Sequence, residues 1–163
     1  MYQLADQFSL FFLSWMKGRQ QGHDGYWSSG MGSGVRNSWA GYAFEQVCLA
    51  HVGQIKKARG ISGILTSCSA WSGVDEDGNG AQVDLVIERN DNVIDLCEMK
   101  YSIDEYTLGA DEDERLRHRR SAFISATHTR KAVHLILVTT YGLKLGKYSC
   151  TFQSVITMED LFA

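Results

Sequence analysis

Several chemistries are excluded by what this 163-residue chain lacks. Its four cysteines, Cys48, Cys68, Cys97 and Cys150, are widely spaced and form no CxxC pair. That argues against a zinc site and reads as free, buried thiols in a reducing compartment. The five histidines have no HxxxH or HExxH spacing, which removes the metalloprotease signature. No apolar run approaches membrane-spanning length, and the opening Met-Tyr-Gln-Leu-Ala-Asp carries no basic segment. A soluble, cytoplasmic protein with no membrane partner is therefore expected. The stretch from Gly18 to Asn37 carries six glycines, yet Gly25-Tyr-Trp-Ser-Ser-Gly30 runs into Met31 without the lysine and hydroxyl residue of a P-loop. The spacing of Gly30, Gly32 and Gly34 is equally wrong for a dinucleotide fingerprint, so this stretch reads as a connection. Excess positive charge is also missing. A net charge of −3 argues against a protein that coats nucleic acid non-specifically, although it permits a local basic groove. No internal repeat or low-complexity segment is present.

What is there is globular. A 44% hydrophobic content over this length supports one domain with a sizeable core. Residues 4–17 form an aromatic-rich helical segment, read as core with partner docking as the alternative. Together with the glycine-rich connection they make a unit over 1–37, and the main domain spans 38–163. From Ser38, read as an N-cap, to Arg59, the apolar positions Trp39, Ala43, Phe44, Val47, Cys48, His51 and Ile55 recur at three and four, which predicts one amphipathic helix. Residues 61–71 suit a strand and 75–80 a turn. Two strands follow at 83–89 and 93–99, then a helix over 111–127, a buried strand over 133–140, an edge strand over 148–152 and a short helix over 158–162. This order predicts an α/β (α+β) domain with a central mixed β-sheet flanked by helices.

The hairpin carries the chemistry. Its turn, Asn90-Asp91-Asn92, is centred on Asp91, so cross-strand partners have numbers summing to 182 and Asp84 falls opposite Glu98 on one face, with Lys100 beside them. Two opposed carboxylates are unfavourable unless a cation lies between them. A hard divalent ion, Mg²⁺ or Mn²⁺, takes such oxygen ligands, and a lysine at this spacing suits orienting water or stabilising phosphate charge. An ordinary solvated hairpin face is the competing reading. Against it stand the flanking Val83, Leu85, Val86, Ile87, Val93, Ile94 and Leu96, which make these strands look covered on both sides. Behind the acidic block Asp111 to Glu114 comes a basic run, Arg115, Arg117, Arg119 and Arg120, continued by Arg130 and Lys131. It suits a solvated helix face or a phosphate track equally.

Phe44-Glu45 on a helix, then Asp84 and Glu98-x-Lys100 on a hairpin, then a helix and a strand, resembles the PD-(D/E)XK nuclease superfamily, with its restriction-endonuclease-like fold. A closer likeness covers most of the chain: Trp39-Ala-Gly-Tyr-Ala-Phe-Glu-Gln-Val-Cys48, the motifs Ala81-Gln-Val-Asp-Leu85 and Cys97-Glu-Met-Lys100, Thr139-Thr-Tyr-Gly142, and Tyr2-x-Leu4-x-Asp6-x-Phe8-x-x-Phe11. These are similar to the C-terminal nuclease-like domain of archaeal and bacterial AAA-type ATPases. The resemblance implies Glu45, Asp84 and Glu98 as metal-facing carboxylates, the Met99 carbonyl as a further ligand, and Lys100 as the catalytic lysine. It also implies Arg119 as a phosphate contact and Gln82 as a supporting one. DNA would be the substrate and an ATPase domain, in cis or in trans, the partner. The proline common before the superfamily's aspartate is replaced by Val83, and the chain has no proline at all. A catalytically silent DNA-binding or regulatory module on the same fold is the alternative.

Overall fold

Strands apolar on both faces need cover on both sides, and the computed structural model, which describes residues 6–17, 34–74 and 78–163, supplies it. The strands are β1 (Thr66–Val74), β2 (Gly80–Arg89), β3 (Val93–Lys100), β4 (Ala132–Thr139) and β5 (Ser154–Thr157). They form one sheet in chain order. β1–β2 and β2–β3 pair antiparallel, whereas β3–β4 and β4–β5 pair parallel. The helices are α1 (Gln7–Phe11, continued by a π-helical turn over Phe12–Met16), α2 (Gly34–Ala50), α3 (Val52–Ala58) and α4 (Ala110–Thr127). The protein is thus an α/β domain with a central mixed sheet flanked by helices. Among the described residues no helix is long and apolar enough to cross a membrane.

Two hydrophobic layers sandwich the sheet. On one side Phe44 and Cys48 of α2 and Ile55 of α3 pack on Leu85, Ile87, Cys97, Ile136 and Val138. On the other, Leu116 and Phe123 of α4 pack on Val86, Ile94, Leu96, Leu135 and Leu137. Each fully buried aliphatic side chain contributes about 1.5–3 kcal/mol. The β2–β3 hairpin turns through Asn92 at a φ of 63°, a left-handed conformation that asparagine tolerates better than most residues. Its register matches the turn count: Leu85 pairs with Cys97, Val86 with Leu96, Ile87 with Asp95 and Glu88 with Ile94.

Several elements differ from the sequence expectation. The helix expected from Ser38 starts at Gly34, so Ser38 lies inside α2 and the expected boundary at residue 37 falls within a helix. Glycine at a first helical position escapes the interior penalty, which is why the glycine-rich stretch ends sooner than composition implied; its residues 18–33 lie outside the described residues. The same helix breaks at His51. The His51 ring Nδ1 lies 2.7 Å from the Val47 carbonyl, the acceptor that His51 N–H would use in a continuous helix. That N–H turns instead to Cys48 O at 3.0 Å. Residues 61–65 form a turn, with Ile61 buried, before β1 begins at Thr66. Residues 148–152 are not a strand: Ser149–Thr151 make a 3-10 turn, Phe152 is buried on the α4 side, and the edge strand starts at Ser154. The four cysteines are free, but only Cys48 and Cys97 are buried. In the first helix, Trp15 is buried and meets Trp39 edge to face at 6.1 Å, while Phe8, Phe12, Leu13 and Met16 are exposed.

Candidate active site

The candidate residues meet where β2 and β3 part. The β2–β3 pairing ends at Leu85 and Cys97, one step short of Asp84 and Glu98. On its other edge β2 carries a bulge. Ser69 pairs with Val86 but Trp71 with Val83, so two residues of β2, Asp84 and Leu85, stand opposite Ala70 alone. An extra residue reverses the alternation. Val83 and Val86 consequently pack in the same layer, against α4, while Leu85 packs toward α2. Asp84 shares the side of Gln82, whose Nε2 donates to Asp84 Oδ1 at 2.7 Å.

Glu98 and Lys100 look the other way. Cys97 and Met99 belong to the α2-side core, so alternation turns Glu98 and Lys100 toward α4. Their contacts agree: Lys100 Nζ lies 2.9 Å from Glu98 Oε1 and 3.1 Å from Glu112 Oε1 of α4. Glu98 Oε2 accepts from Arg119, also of α4. The ladder stops one step short of Asp84 and Glu98, so their expected opposition is not part of the paired register. The bulge, at the gap between the parted strands, breaks the alternation from which a shared face is counted.

Glu45 closes this gap from α2. It is half-buried, and three effects raise its pKa: burial first, then the Asp84 charge, then the Glu98 charge. Glu45 is thus close enough to feel both of the other expected carboxylates. The ammonium of Lys100 is opposed by burial, which the Glu98 and Glu112 carboxylates outweigh, and it titrates above the usual lysine range. It is a fixed cation at neutral pH and no base. Met99 pairs with Val138 in the β3–β4 ladder, its side chain against the α2-side core. Arg119, expected to face a phosphate, is drawn inward onto Glu98.

The donor set fits a hard divalent cation in kind: three carboxylates, of which Glu45 is held toward its neutral form by burial and then by the charges of Asp84 and Glu98. Such an ion needs only one or two carboxylates, completed by water and phosphate. The set is not gathered into a cage, since among the described residues no three His, Cys, Asp or Glu side chains converge enough to hold a metal together. Both Glu98 oxygens are also engaged by cations.

Two residues of this neighbourhood gave no usable signal in the sequence. Glu112 looked like one more acid in a solvated helix start, whereas it spans Lys100 Nζ and Arg115 Nη2, the latter at 3.1 Å. Tyr106 lies in a loop, half-buried; its pKa is raised by burial and then by Glu112, with Lys100 acting in the opposite sense. The Tyr106 backbone bonds to Gly142 O at 2.8 Å, which ties this loop to the Thr139-Thr-Tyr-Gly142 segment. A separate cleft of about 380 Å³, lined by Thr140, Tyr141, Thr157, Met158, Glu159 and Phe162, includes none of the expected site residues.

Comparison with protein-family models gives no match, and none of the curated proteins matches. Among solved structures, the crystal structure of a protein of unknown function, AF1548, aligns with a TM-score of 0.48 and 13% identity over 72% of this chain. The alignment spans 64% of that protein's length.

Proposed function

We propose that the chain is a metal-dependent nuclease-like domain that hydrolyses phosphodiester bonds in DNA, working in the cytoplasm on a restriction-endonuclease-like PD-(D/E)XK scaffold. The observation that carries this reading is that Glu45 feels the charges of both Asp84 and Glu98 where β2 and β3 part, with Lys100 Nζ 2.9 Å from Glu98. A half-buried carboxylate beside two others, as Glu45 is, resists ionisation without a counter-cation. Asp84 and Glu98 would hold Mg²⁺ or Mn²⁺, with Glu45 and the Met99 carbonyl alongside. The ion would supply a nucleophilic water and offset charge on the phosphate. Lys100 would orient a water and screen the non-bridging oxygen. Gln82 restrains the Asp84 carboxylate through its hydrogen bond. Arg119 is the residue of α4 placed to move from Glu98 to a phosphate.

A second reading, a silent regulatory or interaction module serving an ATPase in cis or in trans, is favoured by the exposed apolar face of α1, where Phe8 is 69% and Leu13 50% accessible. Calorimetric titration with Mn²⁺ followed by a cleavage assay on single-stranded, duplex and branched DNA separates the two. Binding with cleavage supports the enzyme, and binding without cleavage supports the module.

A further inference from the structure

The ion pairs around Lys100 assign a part to Glu112, and the assignment rests on the nuclease reading above. Lys100 Nζ has two carboxylate partners, Glu98 Oε1 at 2.9 Å and Glu112 Oε1 at 3.1 Å. They differ in what else they are asked to do. Glu98 would turn toward a metal, and Lys100 would then face a cation at close range with one partner withdrawn. A lysine is a point charge on a flexible stem, so nothing on β3 itself would keep the ammonium from swinging into solvent. Glu112 belongs to a different element. It is fixed in the first turn of α4, and its second oxygen accepts from Arg115 Nη2 at 3.1 Å, one helical turn on. Arg119, a further turn along, reaches Glu98 from the same helix. We propose that Glu112 is the positioning residue of Lys100: it retains the ammonium in the site when Glu98 is committed to the metal, and Arg115 steadies it from behind.

The test labels surface amines in the 163-residue chain with a small amine-reactive reagent and reads modification at Lys100 by peptide mass spectrometry, with and without Mn²⁺. In the wild type Lys100 reacts slowly under both conditions. In Glu112→Gln its labelling rises about two- to fivefold, the factor that a partly exposed ion pair carries, and rises most with Mn²⁺ present. Glu112→Asp restores part of the protection. Arg115→Ala, at a side chain 70% exposed and therefore safe for folding, moves labelling the same way by less. In cleavage, Glu112→Gln lowers kcat about 10- to 100-fold with KM for DNA unchanged, as lost support of an active-site group does. Equal Lys100 labelling in wild type, Glu112→Gln and Arg115→Ala overturns the assignment. A wild type that binds Mn²⁺ but cleaves no DNA overturns the nuclease reading instead, and the labelling then still judges Glu112.

Discussion

Lys100 Nζ stands 2.9 Å from Glu98 Oε1, so the lysine and the acid two residues before it form an ion pair along one side of β3. The other Glu98 oxygen is held by Arg119. Glu98 therefore has both oxygens engaged, and on the proposed reading a metal would have to displace one of these cations.

Arg119→Ala removes one of the two competitors. Its loss should tighten Mn²⁺ binding about fivefold, the equivalent of about 1 kcal/mol for a partly buried pair. Calorimetry on the DNA-free protein measures this, with Asp84→Asn as the control that weakens binding. Unchanged or weaker Mn²⁺ affinity in Arg119→Ala would show that the arginine does not compete for Glu98.

Glu45 gives a pH dependence. Burial and the charges of Asp84 and Glu98 raise its folded-state pKa. The folded protein then holds this proton more tightly than the unfolded chain does. The associated stability is complete below the ordinary glutamate range and is lost as pH rises through the elevated folded value. Glu45→Gln, which cannot ionise, should therefore have a higher Tm than the wild type at neutral pH without metal. The gain should vanish toward pH 4, roughly the unperturbed glutamate pKa. Adding Mn²⁺ should narrow the neutral-pH gap, because a bound cation lets Glu45 ionise freely. Thermal melts across pH check the sign, and a Tm of Glu45→Gln below that of the metal-free wild type at pH 7 would contradict it.

Thr139 ends β4 beside Lys100 in the parallel ladder, fully buried. Its hydroxyl is a buried polar atom with no hydrogen-bond partner among the described residues. Thr139→Val replaces it with a methyl of similar shape and should stabilise the fold by about 1 kcal/mol, the lower end of the penalty for an unsatisfied buried group. Urea denaturation measures it. Destabilisation would mean that the hydroxyl has a partner in solution.

Much of this arrangement was legible because it depends on local counting. A three-residue turn around Asp91 fixed the β2–β3 register, and apolar residues on both faces announced two covering layers. The bulge at Asp84 was not legible, since Val83-Asp84-Leu85-Val86 looks apolar on either side however it alternates. The break at His51 hides for a similar reason: the residue keeps the helical period while its ring takes the carbonyl that the helix needed. Glu112 was readable only as a helix-start acid, which it also is; its approach to Lys100 exists only once α4 packs across the sheet.

The central claim is tested most directly by duplex and single-stranded DNA cleavage in Mg²⁺ or Mn²⁺, comparing wild type, Asp84→Asn and Lys100→Ala, with chelator as control. The phosphodiester barrier is high enough that losing the metal ligand or the fixed cation should abolish turnover and not merely slow it. The expected result is metal-dependent cleavage by the wild type and none by either variant. Equal cleavage by all three proteins, or persistence of cleavage in chelator, would contradict the assignment.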